Sequence, residues 1–389
     1  MRRYGYGIVG FLLVFNLQFP PGLPQAIRAI DYIGAGVLLA LSLYLVRHRS
    51  LPRRLFLRAS LVVGVVGIWI AVSIVDGRSL VEPVRWLLAL GYAFLAIKGL
   101  SYKETRPYFL KGVLSGAAGN LGVLILQVLG FVGLTVQLGI AAPDTDFLNA
   151  VGGAWRPPGM YGTNGTSAVA VLCVPAALAL YENNISTIWS VVAAFGVVIA
   201  TSAITLTRSS LLVAVVVLAV WGLLKAKGVK QIGGTFLTAA LVISGVAVFG
   251  PPGGWDRWEG ASLQSENAQI RIRTTVASAE LAVQYPTGLG RSGYQDLLTN
   301  RTGYSATHNA LTYLALSGGI PVALTLIYYL VGRAATIFRQ RDFVSWLALT
   351  LLGLFMWEEI LRNPTFIAAS VLIVLAGLSN RYPSFSIRP

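Results

Sequence analysis

A chain of 389 residues that is 55% hydrophobic and 12% charged, with a mean hydropathy of +0.70, carries more apolar surface than the cores of a soluble fold this size would bury. Its formal net charge of +15 falls between the apolar runs rather than on one soluble face, which argues against a nucleic-acid surface. The single cysteine, Cys173, lies inside an apolar run, so a disulfide framework and the usual zinc sites are excluded. Apolar runs of roughly 16 to 25 residues recur to the end of the chain, the pattern of helices that cross a bilayer. In chain order the predicted spans are 4–19, 31–46, 59–75, 82–100, 109–140, 165–181, 187–204, 206–224, 233–250, 308–332, 343–361 and 364–379. The fold class is therefore an all-α polytopic integral membrane protein, one transmembrane domain over 1–389 with about 12 transmembrane helices. Met1-Arg2-Arg3 before the first run imitates a signal peptide, but Phe19-Pro20-Pro21-Gly22 follows instead of a small-residue cleavage site, so it reads as a retained span. The run at 109–140 is too long for one upright helix and predicts a tilt or a re-entrant piece.

Orientation follows from the Lys and Arg of short loops. With the N-terminus inside, 19 of the 30 basic residues, including all six lysines, face the cytoplasm. Both termini are then cytoplasmic, and the long connection 251–307 is a periplasmic loop with a predicted helix over 268–285 and a turn at Pro286-Thr287-Gly288-Leu289-Gly290. The other 11 bases are all arginines: Arg28, Arg78, Arg85, Arg156, Arg208, Arg257, Arg271, Arg273, Arg291, Arg301 and Arg362. Positive charge on that face opposes insertion, and the planar guanidinium suits phosphate; the plainer alternative is that arginine is this chain's commoner base.

Ionisable groups at membrane boundaries are expensive to bury unpartnered, which makes them functional candidates. His308-Asn309 opens the tenth span. An imidazole there can take a proton from a hydroxyl near neutral pH, and the structural alternative is helix capping. His48, between Arg47 and Arg49, reads as a solvated loop residue. Arg271 and Arg273 stand two apart on the loop helix, so at most one faces a shared site. Arg208, in Thr205-Leu206-Thr207-Arg208-Ser209-Ser210, sits at a hairpin tip between two apolar helices. Arg156 to Asn164 is a turn-rich entrance to the sixth span, or a plain connecting loop. Asp144-Thr145-Asp146 is a pair able to hold a divalent ion, though such pairs are common in turns. Arg85, three residues after Glu82, predicts a local ion pair or a lipid-headgroup contact. No inverted repeat and no pair of interrupted helices, features of a carrier, is evident.

Four of these motifs occur in the order that resembles the bacterial O-antigen ligase and polymerase superfamily. They are the Arg156–Asn164 turn, the Thr205-Leu206-Thr207-Arg208 hairpin, Arg271 about fifteen residues before Pro286-Thr287-Gly288-Leu289-Gly290, and His308-Asn309 followed by Gly318-Gly319. Two positions depart from the family pattern: Thr207 stands for its serine, and Thr163-Asn164 for its Pro-Asn. The resemblance implies a glycosyltransferase of the bacterial inner membrane with a periplasmic site. Its donor would be an undecaprenyl-diphosphate-linked glycan, and its acceptor lipid A core for a ligase or another lipid-linked repeat for a polymerase. By the same resemblance Arg208, Arg271 and His308 are catalytic, Arg156, Asn164, Arg273, Arg291 and Asn309 bind substrate, and no metal or cofactor is needed. The competing class is an anion or solute transporter whose arginines line a pathway.

Overall fold

The structure, a computed structural model, describes residues 2–15, 17–19, 27–48, 53–141, 157, 159–228, 231, 266–357, 361 and 363–377. The described residues are helical throughout, apart from turns and a two-residue antiparallel pair, Gln18–Phe19 with Ile27–Arg28. Six helices are long and apolar enough to cross a membrane: Val81–Ser101, Arg106–Val128, Asn164–Glu182, Ile188–Thr205, Arg208–Lys225 and Ile320–Phe338. Shorter apolar helices accompany them. The chain is thus an all-α protein of membrane-embedded character. The span expected at 233–250 lies outside the described residues.

Glycines set the packing of the N-terminal third. Helix α1 (Arg2–Val14) runs parallel to α5 (Arg106–Val128), and a Cβ at Gly10 would overlap the Phe109 carbonyl, as one at Gly112 would overlap that of Gly7. Helix α2 (Ala29–His48) lies parallel to α4 (Val81–Ser101) on the same terms, Gly34 against the Leu88 carbonyl and Gly91 against that of Gly34. Apolar surface gains nothing by leaving lipid, so helices there associate where small residues let backbones touch. α3 (Arg53–Val75) completes this part against α4.

At the centre lie α8 (Cys173–Glu182) and α16 (Pro364–Gly377). Every residue from Cys173 to Leu180 and from Phe366 to Ala376 is buried, as expected of helices that are apolar all round. α15 (Phe343–Trp357) packs on both, with Trp346 and Phe355 fully enclosed. α9 (Ile188–Thr205) and α10 (Arg208–Lys225) form a hairpin beside them.

Three of the predicted runs hold two helical segments each. In 109–140, α5 stops at Val128, the chain turns through Gly130 (φ +95°), and a short α6 (Val132–Gln137) follows. Within 165–181, α7 (Thr163–Ala170) meets α8 across a turn at 171–172. In 308–332, α13 (Ala310–Gly318) and α14 (Ile320–Ala335) are separated by Gly319 (φ +96°), a conformation that L side chains disfavour. The run at 109–140 thus carries a further short piece, one of the two outcomes its length predicts.

Side-chain bonds sort the helix ends into two groups. At one end Arg3 bonds Glu104 (2.7 Å), Lys225 bonds Glu182 (2.8 Å), Arg341 donates to the Leu224 carbonyl (3.0 Å), and Arg333 pairs with Asp342. At the other, Arg28 donates to the Met160 carbonyl (3.4 Å), Tyr161 to that of Val14 (2.9 Å), and Arg78 to that of Gly288 (2.5 Å). These contacts tie Arg28 to the segment that enters α7 and Arg78 to the turn that precedes residue 290.

Candidate functional site

At that end the α9–α10 hairpin turns in three residues. Leu206 closes α9 with a left-handed backbone (φ 53°), a conformation that costs a non-glycine residue of order 1 kcal/mol or more and persists where its surroundings enforce it. Thr207 is extended, and Arg208, half-buried, begins α10. The Thr207 hydroxyl lies 3.4 Å from Asn164 Oδ1 and 3.3 Å from the Thr205 carbonyl. The Ser167 and Ser202 hydroxyls meet at 3.1 Å. Buried hydroxyls thus join the start of α7 to the hairpin, and they bring Asn164 to Thr207, the residue before Arg208. Thr207 keeps the hydroxyl that a serine would supply.

A second assembly surrounds His308. α11 (Glu266–Gln284) packs along both α12 (Gly290–Thr302) and α13. Arg271 is half-buried and Arg273 exposed, the split that their spacing on a helix demands. Thr274 and Ser278, on the inner face of α11, are fully buried. The turn 286–290 docks into the break between α13 and α14: Leu289 N–H donates to the Leu316 carbonyl (2.6 Å) and Ile320 N–H to that of Pro286 (2.9 Å). Gly288 and Gly319 make this approach feasible, since a Cβ on Gly288 would stand 2.6 Å from the Gly319 nitrogen. Two stretches thirty residues apart in the chain, both singled out by sequence, form one joint.

His308 is half-buried and has a left-handed backbone (φ 55°). With Leu206 and Asn184 it makes up the non-glycine residues of positive φ among those described, so two of the three adjoin site candidates. Asn309 caps α13, its Oδ1 accepting the Leu311 and Thr312 amides at 2.9 and 3.2 Å. The capping alternative is therefore realised by Asn309, while His308 stands outside the helix. Arg291 is exposed at the start of α12. Arg156, Asp144 and Asp146 lie outside the described residues.

The hairpin between α3 and α4 fastens this assembly, a role that sequence reasoning missed. Arg78, ion-paired with Asp76, donates to the Gly288 carbonyl. Glu82 takes the hydroxyl of Tyr313, one turn into α13, and Tyr294 of α12 meets that ring edge-on at 5.8 Å. The expected Glu82–Arg85 ion pair does not form: Glu82 is engaged 231 residues away, and Arg85 makes no hydrogen bond or ion pair among the described residues. The signal available in the sequence was a carboxylate at a membrane boundary in a chain of only 15 acids.

In comparisons with known proteins, no family model and no curated protein matches this chain.

Proposed function

We propose that the protein is a membrane-embedded glycosyltransferase of twelve spans with both termini in the cytoplasm. It takes a glycan from undecaprenyl diphosphate at the periplasmic leaflet of the bacterial inner membrane and passes it to a hydroxyl acceptor. Ligation of O-antigen onto lipid A core is the favoured reaction, and polymerisation on the same donor is the alternative. The observation that carries this reading is the joint between turn 286–290 and the α13–α14 break. It lays the arginine-bearing α11 along the helix that His308 precedes, at the same end as Arg208.

Diphosphate already leaves readily, so the chemistry asks for cations where negative charge grows. Arg208 and Arg271 supply guanidiniums for the diphosphate oxygens, with Asn164 near the hairpin; Arg273, exposed on another side of α11, stands outside this pair. The acceptor oxygen attacks the anomeric carbon, its proton passes to the His308 imidazole, and the bond to the leaving phosphate oxygen breaks with its electron pair. A single displacement of this kind inverts the anomeric centre. Loss of one positioned donor costs about 3 kcal/mol, roughly 10²-fold in rate. Alanine at Arg208, Arg271 or His308 is accordingly expected to abolish transfer by protein that still folds; near-normal rates in all three end the assignment. Cells lacking a ligase accumulate long lipid-linked polymer, whereas cells lacking a polymerase accumulate single repeats.

The interrupted helices speak for a transporter, because carriers use such breaks as midplane binding sites. Here the α13–α14 break is filled by the protein's own turn, whose backbone takes up the Ile320 amide and the Leu316 carbonyl. That occupancy favours the enzyme.

A further inference from the structure

Helix α5 is long and apolar enough to cross the membrane, yet it carries two fully buried side-chain amides, Asn120 and Gln127. Seven residues apart, they lie two turns from each other on one face of the helix. Neither takes part in the transfer chemistry.

Both amides reach the backbone of a single segment. Gln127 Oε1 accepts the Gly159 amide (2.8 Å), and Asn120 Nδ2 donates to the Thr166 carbonyl (3.2 Å), so two points that are also seven residues apart are held from one helix face. Between those points the segment is tied to itself. The Tyr161 amide donates to the Thr166 hydroxyl (3.1 Å), and a Cβ on Gly159 (φ +61°) would stand 2.4 Å from that oxygen. From another side, the Tyr161 hydroxyl donates to the Val14 carbonyl of α1, and the Arg28 guanidinium, just before α2, lies 5.4 Å from the centre of the Tyr161 ring. Asn164 falls inside the stretch so held, and its Oδ1 accepts the Thr207 hydroxyl at 3.4 Å.

Packing alone does not call for amides at these positions. Asn120 Oδ1 has no hydrogen-bond partner among the described residues, a cost that a leucine filling the same space would not carry. A grip on the Thr166 carbonyl does call for one. Gln127 is engaged at both ends, its Nε2 donating to the Thr135 hydroxyl of α6 (3.2 Å), which leaves its oxygen turned to Gly159.

We propose that Gln127 and Asn120 are positioning residues for the transfer reaction: from α5 they fix residues 159–166 so that Asn164 stands against Thr207, the residue before Arg208. The inference rests on the glycosyl-transfer reading of that site. It adds that the place of Asn164, and with it the fit of the donor diphosphate, is set from inside the bundle by two uncharged side chains.

The test is steady-state transfer by the purified full chain in nanodiscs, from a synthetic undecaprenyl-diphosphate glycan to lipid A core, with hydrogen–deuterium exchange of residues 159–166 followed on the same preparations. Gln127→Leu is expected to lower kcat/KM for the donor about tenfold, chiefly through KM, and to speed exchange in that segment. Asn120→Leu is expected to act in the same direction. Gln127→Glu keeps an oxygen for the Gly159 amide and is expected to recover most of the loss, which keeps the inference testable if the leucine variant folds poorly. Thr135→Val removes the other partner of Gln127 and leaves the bond to Gly159 in place; it is expected to leave donor KM and the exchange of 159–166 at wild-type values even where the melting temperature falls. Wild-type donor kinetics in both leucine variants, or a change in Thr135→Val as large as theirs, overturns the positioning role. No product from wild type with any acceptor overturns the transfer reading itself, and the positioning role with it.

Discussion

The two ends of the bundle hold positive charge in different mixtures of partners. At one, Arg3, Lys225 and Arg333 each meet a carboxylate, Glu104, Glu182 and Asp342. At the other, Arg28 rests on an aromatic ring and a backbone carbonyl, Arg85 meets no acceptor among the described residues, and Arg78 divides its donors between Asp76 and the Gly288 carbonyl. The first pattern is neutralisation, by which a fold makes charge at a membrane boundary affordable. The second holds guanidiniums by backbone carbonyls and a ring as well as by the Asp76 carboxylate, which fixes where they sit as much as it balances their charge.

That contrast can be broken in order of expected effect. The largest change belongs to the arginine-bearing end: His308→Ala, Arg208→Ala and Arg271→Ala should each lower transfer about 10²-fold or more while the melting temperature in detergent stays close to wild type. At the neutralised end the largest effect is on stability. Asp342→Ala leaves Arg333, 5% exposed, without its carboxylate and also removes the acceptor of the Ser345 amide (2.8 Å). Breaking a buried pair from one side costs about 3 to 5 kcal/mol, and a clear drop in thermal stability should report it. Gly288→Ala sharpens the comparison from within the site: positive φ and the crowded Gly319 nitrogen should cost about 1 to 3 kcal/mol, read as lowered stability together with lowered turnover. Tyr313→Phe, which removes the bond to Glu82, should cost about 1 to 3 kcal/mol, because a partly buried carboxylate loses a donor. It should lower turnover more than donor KM, since the bond fastens α13 behind His308. Smallest is Arg3→Ala: its pair with Glu104 is exposed on both sides, and neither activity nor melting temperature should move measurably.

Much of the helical layout was legible because apolar length is a local property. The α9–α10 hairpin lies within two residues of its predicted bounds, since two uniformly apolar runs separated by Thr205-Leu206-Thr207-Arg208 leave little alternative. Breaks inside runs were not legible. Gly318-Gly319 stood out as a bend, but what separates α13 from α14 is the turn 286–290 pressing into the gap, a contact between distant stretches. α12 escaped prediction because Gly290 belongs to the predicted turn, whereas buried Tyr294 and Leu298 anchor a helix that starts there. Within the site, residue chemistry pointed to Arg208, Arg271 and His308. The Tyr313 partner of Glu82 was not legible, because spacing along a helix points only to Arg85, while packing delivers a residue 231 positions away. The capping role divided in a way that sequence alone left open, Asn309 taking it and His308 remaining outside α13.

The account's central claim is that Arg208, Arg271 and His308 together receive a lipid-borne diphosphate. The most direct measurement is transfer by purified protein in nanodiscs, from a synthetic undecaprenyl-diphosphate glycan to lipid A core, with and without a metal chelator. The account predicts an inverted glycosidic product, formed at the same rate with chelator present and lost in His308→Ala. Product formed equally well by wild type and His308→Ala, or none from wild type with either lipid A core or a second lipid-linked repeat as acceptor, would contradict it.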